Sequence, residues 1–269
     1  VQILITYYLL IAVTFGRNPT AHAAVSPKDF PVVLDPGHGG SDFGAVYKSG
    51  NEAPFYEKTA VLNLALETAK LLRIKHYPVT LTRDSDQDQS LNARAQIANK
   101  ARGKLFLSFH MNSAPTPHGL SQGGVETYIL HTESTDGPSK RLAELENKGS
   151  GPDPGETRTG HRTVDLIVKD LRLSGFHEES MRLGCLIQEG LTNVTKQRHR
   201  GLKKAMFYVL LGADMPSALV EAGFVQSFRD RSLFINSHSL KSMSATLVRV
   251  IDQFRLNKRS KNCTLLSNS

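Results

Sequence analysis

Tryptophan is absent from this chain of 269 residues, and cysteine occurs only twice, as Cys185 and Cys263. Neither cysteine has a partner at zinc-motif spacing, which excludes a thiolate metal site. Cys185 falls in an apolar helical run and reads as core, while Cys263 lies in a polar tail; a disulfide between them is left open. No apolar run reaches the ~18–20 residues that a spanning helix needs, so no stable membrane span is expected in the mature protein. Blocks of like charge are missing too. The formal net charge of +8, from 33 basic and 25 acidic residues, is scattered, with its densest patches at 196–204 and 255–262. These read as a solvated face and a solvated tail. A basic surface favours polyanions. Aromatic platforms and a reading helix are lacking, however, and no nucleic-acid partner is expected. No internal repeats are found.

What is present begins with "VQILITYYLLIAVTFG", a run of signal-peptide length followed by Ala21-His22-Ala23 in the small-x-small cleavage pattern. No Lys or Arg precedes the apolar run. Residues 1–23 are expected to be a signal peptide, with a retained membrane anchor as the alternative. Both place the mature domain outside the cytoplasm, in a periplasmic reading. Residues 24–30 then form a linker, 31–254 one α/β domain, and 255–269 a polar basic tail.

Six short apolar runs read as strands: 31–34, 78–82, 104–109, 124–130, 205–211 and 217–220. The fourth alternates more than the others and is expected at a sheet edge. Helical patterns fall between them. From Glu57 onward, Val61, Leu64, Ala65, Thr68, Leu71 and Leu72 share one apolar face. Residues 90–101 form a second helical pattern capped by Ser90, and a third stripe runs from Leu240 to Phe254. This alternation predicts an α/β sheet with helices on both faces. Residues 132–162 interrupt the pattern with Gly, Pro, Ser, Thr and charge; a loop of that length is either functional or disordered.

Three of the strand runs end in chemically capable residues: "VVLDPG" in His38, "LFLSF" in His110 and "SALV" in Glu221. Ligands in open α/β sheets bind outside the carboxyl ends of the strands. The helix that starts near Glu57 begins at the same rim. Two imidazoles and a carboxylate can therefore meet there, with a second carboxylate beside them. A catalytic zinc site takes His/His/carboxylate ligands and keeps one position for water. The metal lowers the pKa of that water toward ~7, and a carboxylate that is not a ligand moves the proton. Gly37, Gly39 and Gly40 read as freeing the backbone and leaving room for a bulky substrate. Glu52 is a rival ligand, although Ala53-Pro54 break the helix behind it. The remaining histidines read as surface residues.

In order, "LDPGHGGSDFGA", Glu57-Lys58, "LTRDSD", "RAQIANKA", "LFLSFHMNS" and "SALVEAGFVQS" resemble the zinc-dependent N-acetylmuramoyl-L-alanine amidases. More narrowly, the chain resembles the catalytic domain of the periplasmic cell-separation amidases of Gram-negative bacteria. The resemblance implies a mostly parallel, roughly six-stranded twisted sheet and one zinc ion on His38, Glu57 and His110. It implies Glu221 as the catalytic carboxylate. The implied reaction is hydrolysis of the amide between N-acetylmuramic acid and L-alanine in peptidoglycan, for cell-wall remodelling or daughter-cell separation. Asn63, Arg83 and Asn112 match family positions near the site and are expected to support the ligands or touch substrate. Met111 stands where a smaller residue is commoner and is expected to reshape the pocket edge. Residues 132–180 match in position an inserted helical element that covers the metal and is moved by an activator protein. Residues 141–149 and 164–184 are expected as helices there, with Glu144 or Glu146 capping the zinc at rest; the alternative is a disordered surface loop. Two other functions are weighed: another zinc peptidase or deacetylase of the cell wall, and a non-catalytic peptidoglycan-binding module. A degenerate relative typically loses the base or a ligand, whereas all four residues are present here.

Overall fold

The computed structural model describes residues 25–113, 123–148 and 175–260. Its strands are β1 (Val32–Pro36), β2 (Val46–Tyr47), β3 (Phe55–Tyr56), β4 (Val79–Leu81), β5 (Leu105–Asn112), β6 (Val125–Leu130), β7 (His199–Ala205) and β8 (Ser217–Phe224). Its helices are α1 (Glu57–Ile74), α2 (Leu91–Lys100), α3 (Gly137–Glu146), α4 (His177–Thr195), α5 (Tyr208–Leu211), α6 (Phe228–Ile235) and α7 (Ser237–Arg255). Six strands form one sheet in the order β4-β1-β5-β8-β6-β7, and β2 and β3 make a separate hairpin. All neighbours in the large sheet are parallel except β6 and β8.

Strand side chains alternate between faces, and the two halves of the core follow that period. Val32, Leu34, Leu105, Leu107, Phe109 and Val220 pack on one side with Leu64, Leu72, Ile187, Met243 and Leu247 from α1, α4 and α7. Val33, Phe106, Tyr128 and Leu219 face the other side, against Ala98, Leu142, Ala143 and Leu210 from α2, α3 and α5. β1, β5 and β8 are buried along their whole length, as strands covered on both faces must be. Ser90 caps α2 by accepting from the Ala93 amide at 3.2 Å, and Asp136 caps α3 by accepting from Ser139 at 2.7 Å.

Four local expectations need correction. The run 124–130 is not at an edge: β6 lies between β8 and β7. The run 205–211 is mostly not a strand, because β7 ends at Ala205 and Tyr208–Leu211 is a helical turn. The edge strand is instead the basic stretch read as a solvated face. Lys203 is buried in it because Glu126 on β6 accepts its ammonium at 3.2 Å, a partner that no local pattern announces. Cys185, expected in the core, is half-buried on α4 and disulfide-bonded. Residues 1–24, 149–174 and 261–269, which include the expected signal peptide, Cys263 and part of the expected helix 164–184, lie outside the described residues. Among the described residues no helix is long and apolar enough to cross a membrane.

Candidate metal centre

Parallel pairing of β1, β5 and β8 puts their carboxyl ends on one rim. His110 lies within β5, directly opposite Glu221 of β8. His38 sits just beyond β1 with a φ of 57°, a left-handed conformation that is uncommon for a non-glycine residue. Glu57 is the first residue of α1. Four side chains converge at this rim. Glu57 Oε1 is 3.1 Å from His38 Nε2 and 3.3 Å from His110 Nδ1. Glu146 Oε2, from the end of α3, is 3.5 Å and 3.1 Å from the same two nitrogens. The His38 and His110 rings stand edge to face with centroids 4.8 Å apart.

Both inward nitrogens, His38 Nε2 and His110 Nδ1, are buried and make no hydrogen bond of acceptable geometry among the described residues, although the Glu57 and Glu146 oxygens lie 3.1–3.5 Å away. Buried polar atoms without partners are rare and call for an explanation. Two such nitrogens aimed at one point, with carboxylate oxygens beside them, fit a divalent cation of the zinc type. His38, His110 and Glu146 each offer a ligand atom, all within 4.8 Å of one another. The outer atoms are already engaged. His38 Nδ1 pairs with Asp42 Oδ2 at 2.9 Å, which fixes the ring orientation and leaves Nε2 for the metal. Glu57 accepts from the Met111 amide at 2.8 Å on Oε1 and from the Ala45 amide at 2.7 Å on Oε2.

Burial disfavours the charged form of all these groups, but proximity overrides it for three of them. Glu57 and Asp42 outweigh burial at His38 and push it up to about 11. Glu146 and Glu57 raise His110 to about 10. The two imidazoles hold Glu57 far below the usual carboxylate range. Glu221 goes the other way. Burial, joined by Glu146, Glu57 and Glu126, lifts it well above that range against the pull of His110. Its Oε2 has no hydrogen-bond partner among the described residues.

The other expected residues separate clearly. Asn112 donates to Glu126 at 2.9 Å. Arg83 is buried behind the His38 loop. Asn63 is exposed on α1, away from the buried helix face that carries Glu57. Glu146 faces the centre, whereas Glu144 is exposed and lines a groove on the other side of α3. Glu52 is exposed in the hairpin turn. Met111 points into the core, so its side chain does not shape the pocket edge. A Cβ at Gly37 would lie 2.3 Å from the His110 ring. This glycine makes room for the second imidazole, not for substrate.

Two participants were missed in the sequence. Arg94 looked like one residue of an amphipathic helix, yet it is buried and reaches Asp35 and the His38 carbonyl. Glu126 lies opposite Glu221 in the sheet. It accepts from Arg200 Nε at 2.6 Å, from the Tyr128 hydroxyl at 2.7 Å and from Asn112 and Lys203. A glutamate at a buried position of "GVETYIL" was the available signal. A cleft of about 480 Å³ opens over the centre, lined by His38, Asp42, Asp88, Arg94, His110 and Glu146.

Residues 32–253 match the family model described as N-acetylmuramoyl-L-alanine amidase. The chain is 30% identical over 214 residues to the N-acetylmuramoyl-L-alanine amidase AmiC of Neisseria meningitidis, covering 80% of this chain and 50% of that protein. It is 30% identical over 203 residues to AmiA of Escherichia coli, covering 75% and 68%. A crystal structure of an N-acetylmuramoyl-L-alanine amidase from Clostridium difficile 630 superposes with a TM-score of 0.60 at 25% identity, covering 82% of this chain and 94% of that one. The chain thus spans about half the length of the first relative and about two thirds of the second.

Proposed function

The chain belongs to the N-acetylmuramoyl-L-alanine amidase family, and from that premise we propose that it hydrolyses the amide between the lactyl group of N-acetylmuramic acid and L-alanine in peptidoglycan. The observation that supports this reading is the convergence of two buried imidazole nitrogens on Glu57, with the buried Glu221 beside them. His38, His110 and Glu57 would hold one zinc ion, each already oriented from behind by Asp42, by β5 and by two backbone amides. Bound there, zinc supplies a Lewis acid that activates water near neutral pH and polarises the scissile carbonyl. Glu221 takes the proton of the attacking water and returns it to the leaving nitrogen of L-alanine. Burial, with Glu146, Glu57 and Glu126 nearby, raises its pKa above the usual carboxylate range, the direction in which a carboxylate becomes a better proton carrier.

Glu146 occupies the side of the cluster that substrate must approach. The reading is that α3 closes the centre at rest, and that an activator acting on the 132–180 insertion withdraws it. A periplasmic or otherwise extracytoplasmic location, reached through the expected signal peptide, is supported by the disulfide at Cys185, since such bonds persist in oxidising compartments.

The test is digestion of purified peptidoglycan by wild type and by Glu221→Gln, with products identified by mass. Wild type should free intact stem peptides from the glycan. The variant should keep its zinc and lose on the order of 10²–10⁴ in rate. Shortened peptides or deacetylated glycan as the wild-type products would replace the amidase reading with a peptidase or deacetylase one. Binding to peptidoglycan without any hydrolysis would replace it with a wall-binding module.

A further inference from the structure

Three consecutive carbonyls in the His38 loop point at buried guanidinium groups. Arg83 donates from Nε to Pro36 O at 2.9 Å and from Nη2 to Gly37 O at 2.7 Å. Arg94 donates from Nη1 to Pro36 O at 2.6 Å and from Nη2 to His38 O at 2.6 Å. Peptide oxygens turned the same way repel one another, and the left-handed backbone at His38 adds strain. The two cations offset both effects. They are also tied outward. Arg94 Nη1 pairs with the buried Asp35 at 2.8 Å, and Asp35 in turn accepts from Ser108 of β5 at 2.7 Å. Arg83 Nη2 reaches Lys58 O at 2.8 Å, in the first turn of α1 beside Glu57. One guanidinium therefore grips both the loop that carries His38 and the helix end that carries Glu57. Arg83 has no carboxylate within ion-pair distance among the described residues, and burial together with Arg94 lowers its pKa to about 10. Its charge is met by carbonyl oxygens alone, those of Pro36, Gly37, Lys58 and Ser85, so the cost of burying it falls on the loop and helix end that it joins.

We propose that Arg83 and Arg94 are positioning residues that fix the separation of the His38 and Glu57 ligand atoms, so that metal affinity depends on their planar forks and not on their charge alone. This rests on the metal site proposed above. Lysine keeps the charge but loses the fork, which makes Arg83→Lys and Arg94→Lys the informative changes. Zinc affinity is read by competition with a chromophoric chelator, and ligand geometry by the visible spectrum of the cobalt(II)-loaded protein. Each variant should bind zinc on the order of 10–100-fold more weakly and show an altered cobalt spectrum. Arg182→Lys serves as the control. That guanidinium donates to Phe254 O and stacks on the Phe254 ring, remote from the cluster. It should lower the melting temperature and leave zinc affinity unchanged.

Arg83→Lys and Arg94→Lys proteins that melt earlier yet bind zinc as wild type does would make the arginines merely structural and overturn the proposal. Should neither lysine variant fold, the neutral pair Asp35→Asn with Arg94→Gln carries the same expectation of weaker zinc binding, and wild-type affinity in it would overturn the proposal equally. A wild type that binds no zinc removes the site and the clamp together. A wild type that binds it, with variants that bind as tightly, removes only the clamp.

Discussion

Metal binding at this cluster should release protons, and its affinity should therefore climb with pH. In the metal-free protein His38 sits at about 11 and His110 at about 10, because Glu57, Asp42 and Glu146 outweigh the burial that disfavours imidazolium. Both rings are then protonated at neutral pH. Each must lose its proton before its nitrogen can bind a cation. One proton displaced per ring makes apparent affinity rise about tenfold per pH unit, or about 1.4 kcal/mol. Two rings make that about a hundredfold per unit while the pH stays below both values. Glu57 contributes no slope, since it is held ionised far below this range. Chelator competition at several pH values between 6.5 and 9 measures the slope. Calorimetric titration in two buffers of different ionisation enthalpy counts the protons. A flat affinity with no proton release would refute the reasoning. The same shifts act on the metal-free fold with the opposite sign. Raised histidine pKa values stabilise it fully below the ordinary value near 6.5, and that contribution is lost as pH rises through about 10 to 11.

Two substitutions probe neighbouring parts of the centre. Glu146→Gln keeps the shape and removes the charge that faces His38 and His110. A charge-assisted contact contributes about 1.5–3 kcal/mol, so basal peptide release should increase on the order of 10–100-fold, and unchanged turnover with zinc retained would count against a closed resting state. Gly37→Ala places a methyl 2.3 Å from the His110 ring. Displacing the ring or the loop should cost about 1–3 kcal/mol and weaken zinc binding; wild-type affinity in this variant would show that the loop yields freely.

The apolar period of two made β1, β5 and β8 legible, since strands buried on both faces carry their own signature in Val32–Leu34, Leu105–Phe109 and Ala218–Val220. Glu57 was legible as a helix start because the apolar face of α1 begins there. What stayed hidden depends on partners distant in sequence. β7 is polar in isolation, and Lys203 is buried only because Glu126 and, at 3.4 Å, Asp136 receive it. Arg94 at one helix position says nothing of the carbonyls beyond β1 that it collects. The choice between Glu144 and Glu146 turns on the rotation of α3, which Leu142 and Ala143 set by packing on the sheet. A helical period read from ten residues does not say which neighbour lies across from it.

The register of the sheet carries one further consequence. His110, Glu221 and Glu126 stand in a row across β5, β8 and β6, on the same face, and two of the three are glutamates. Their surroundings drive them apart. Glu126 is buried, but Lys203, Arg200 and Tyr128 outweigh that burial and keep it ionised. Glu221 has no such cage, and burial with three carboxylate neighbours lifts its pKa. Two carboxylates of one chemistry, adjacent in the sheet, are thus assigned different protonation behaviour by environment alone. Glu126 is held in its ionised form by Arg200 and the buried Lys203, and protonating it would weaken both ion pairs. Glu221 has no ion pair among the described residues, so its protonation breaks none. Under the proposed reaction this difference assigns proton transfer to Glu221, with the charge on Glu126 a fixed part of the field around it.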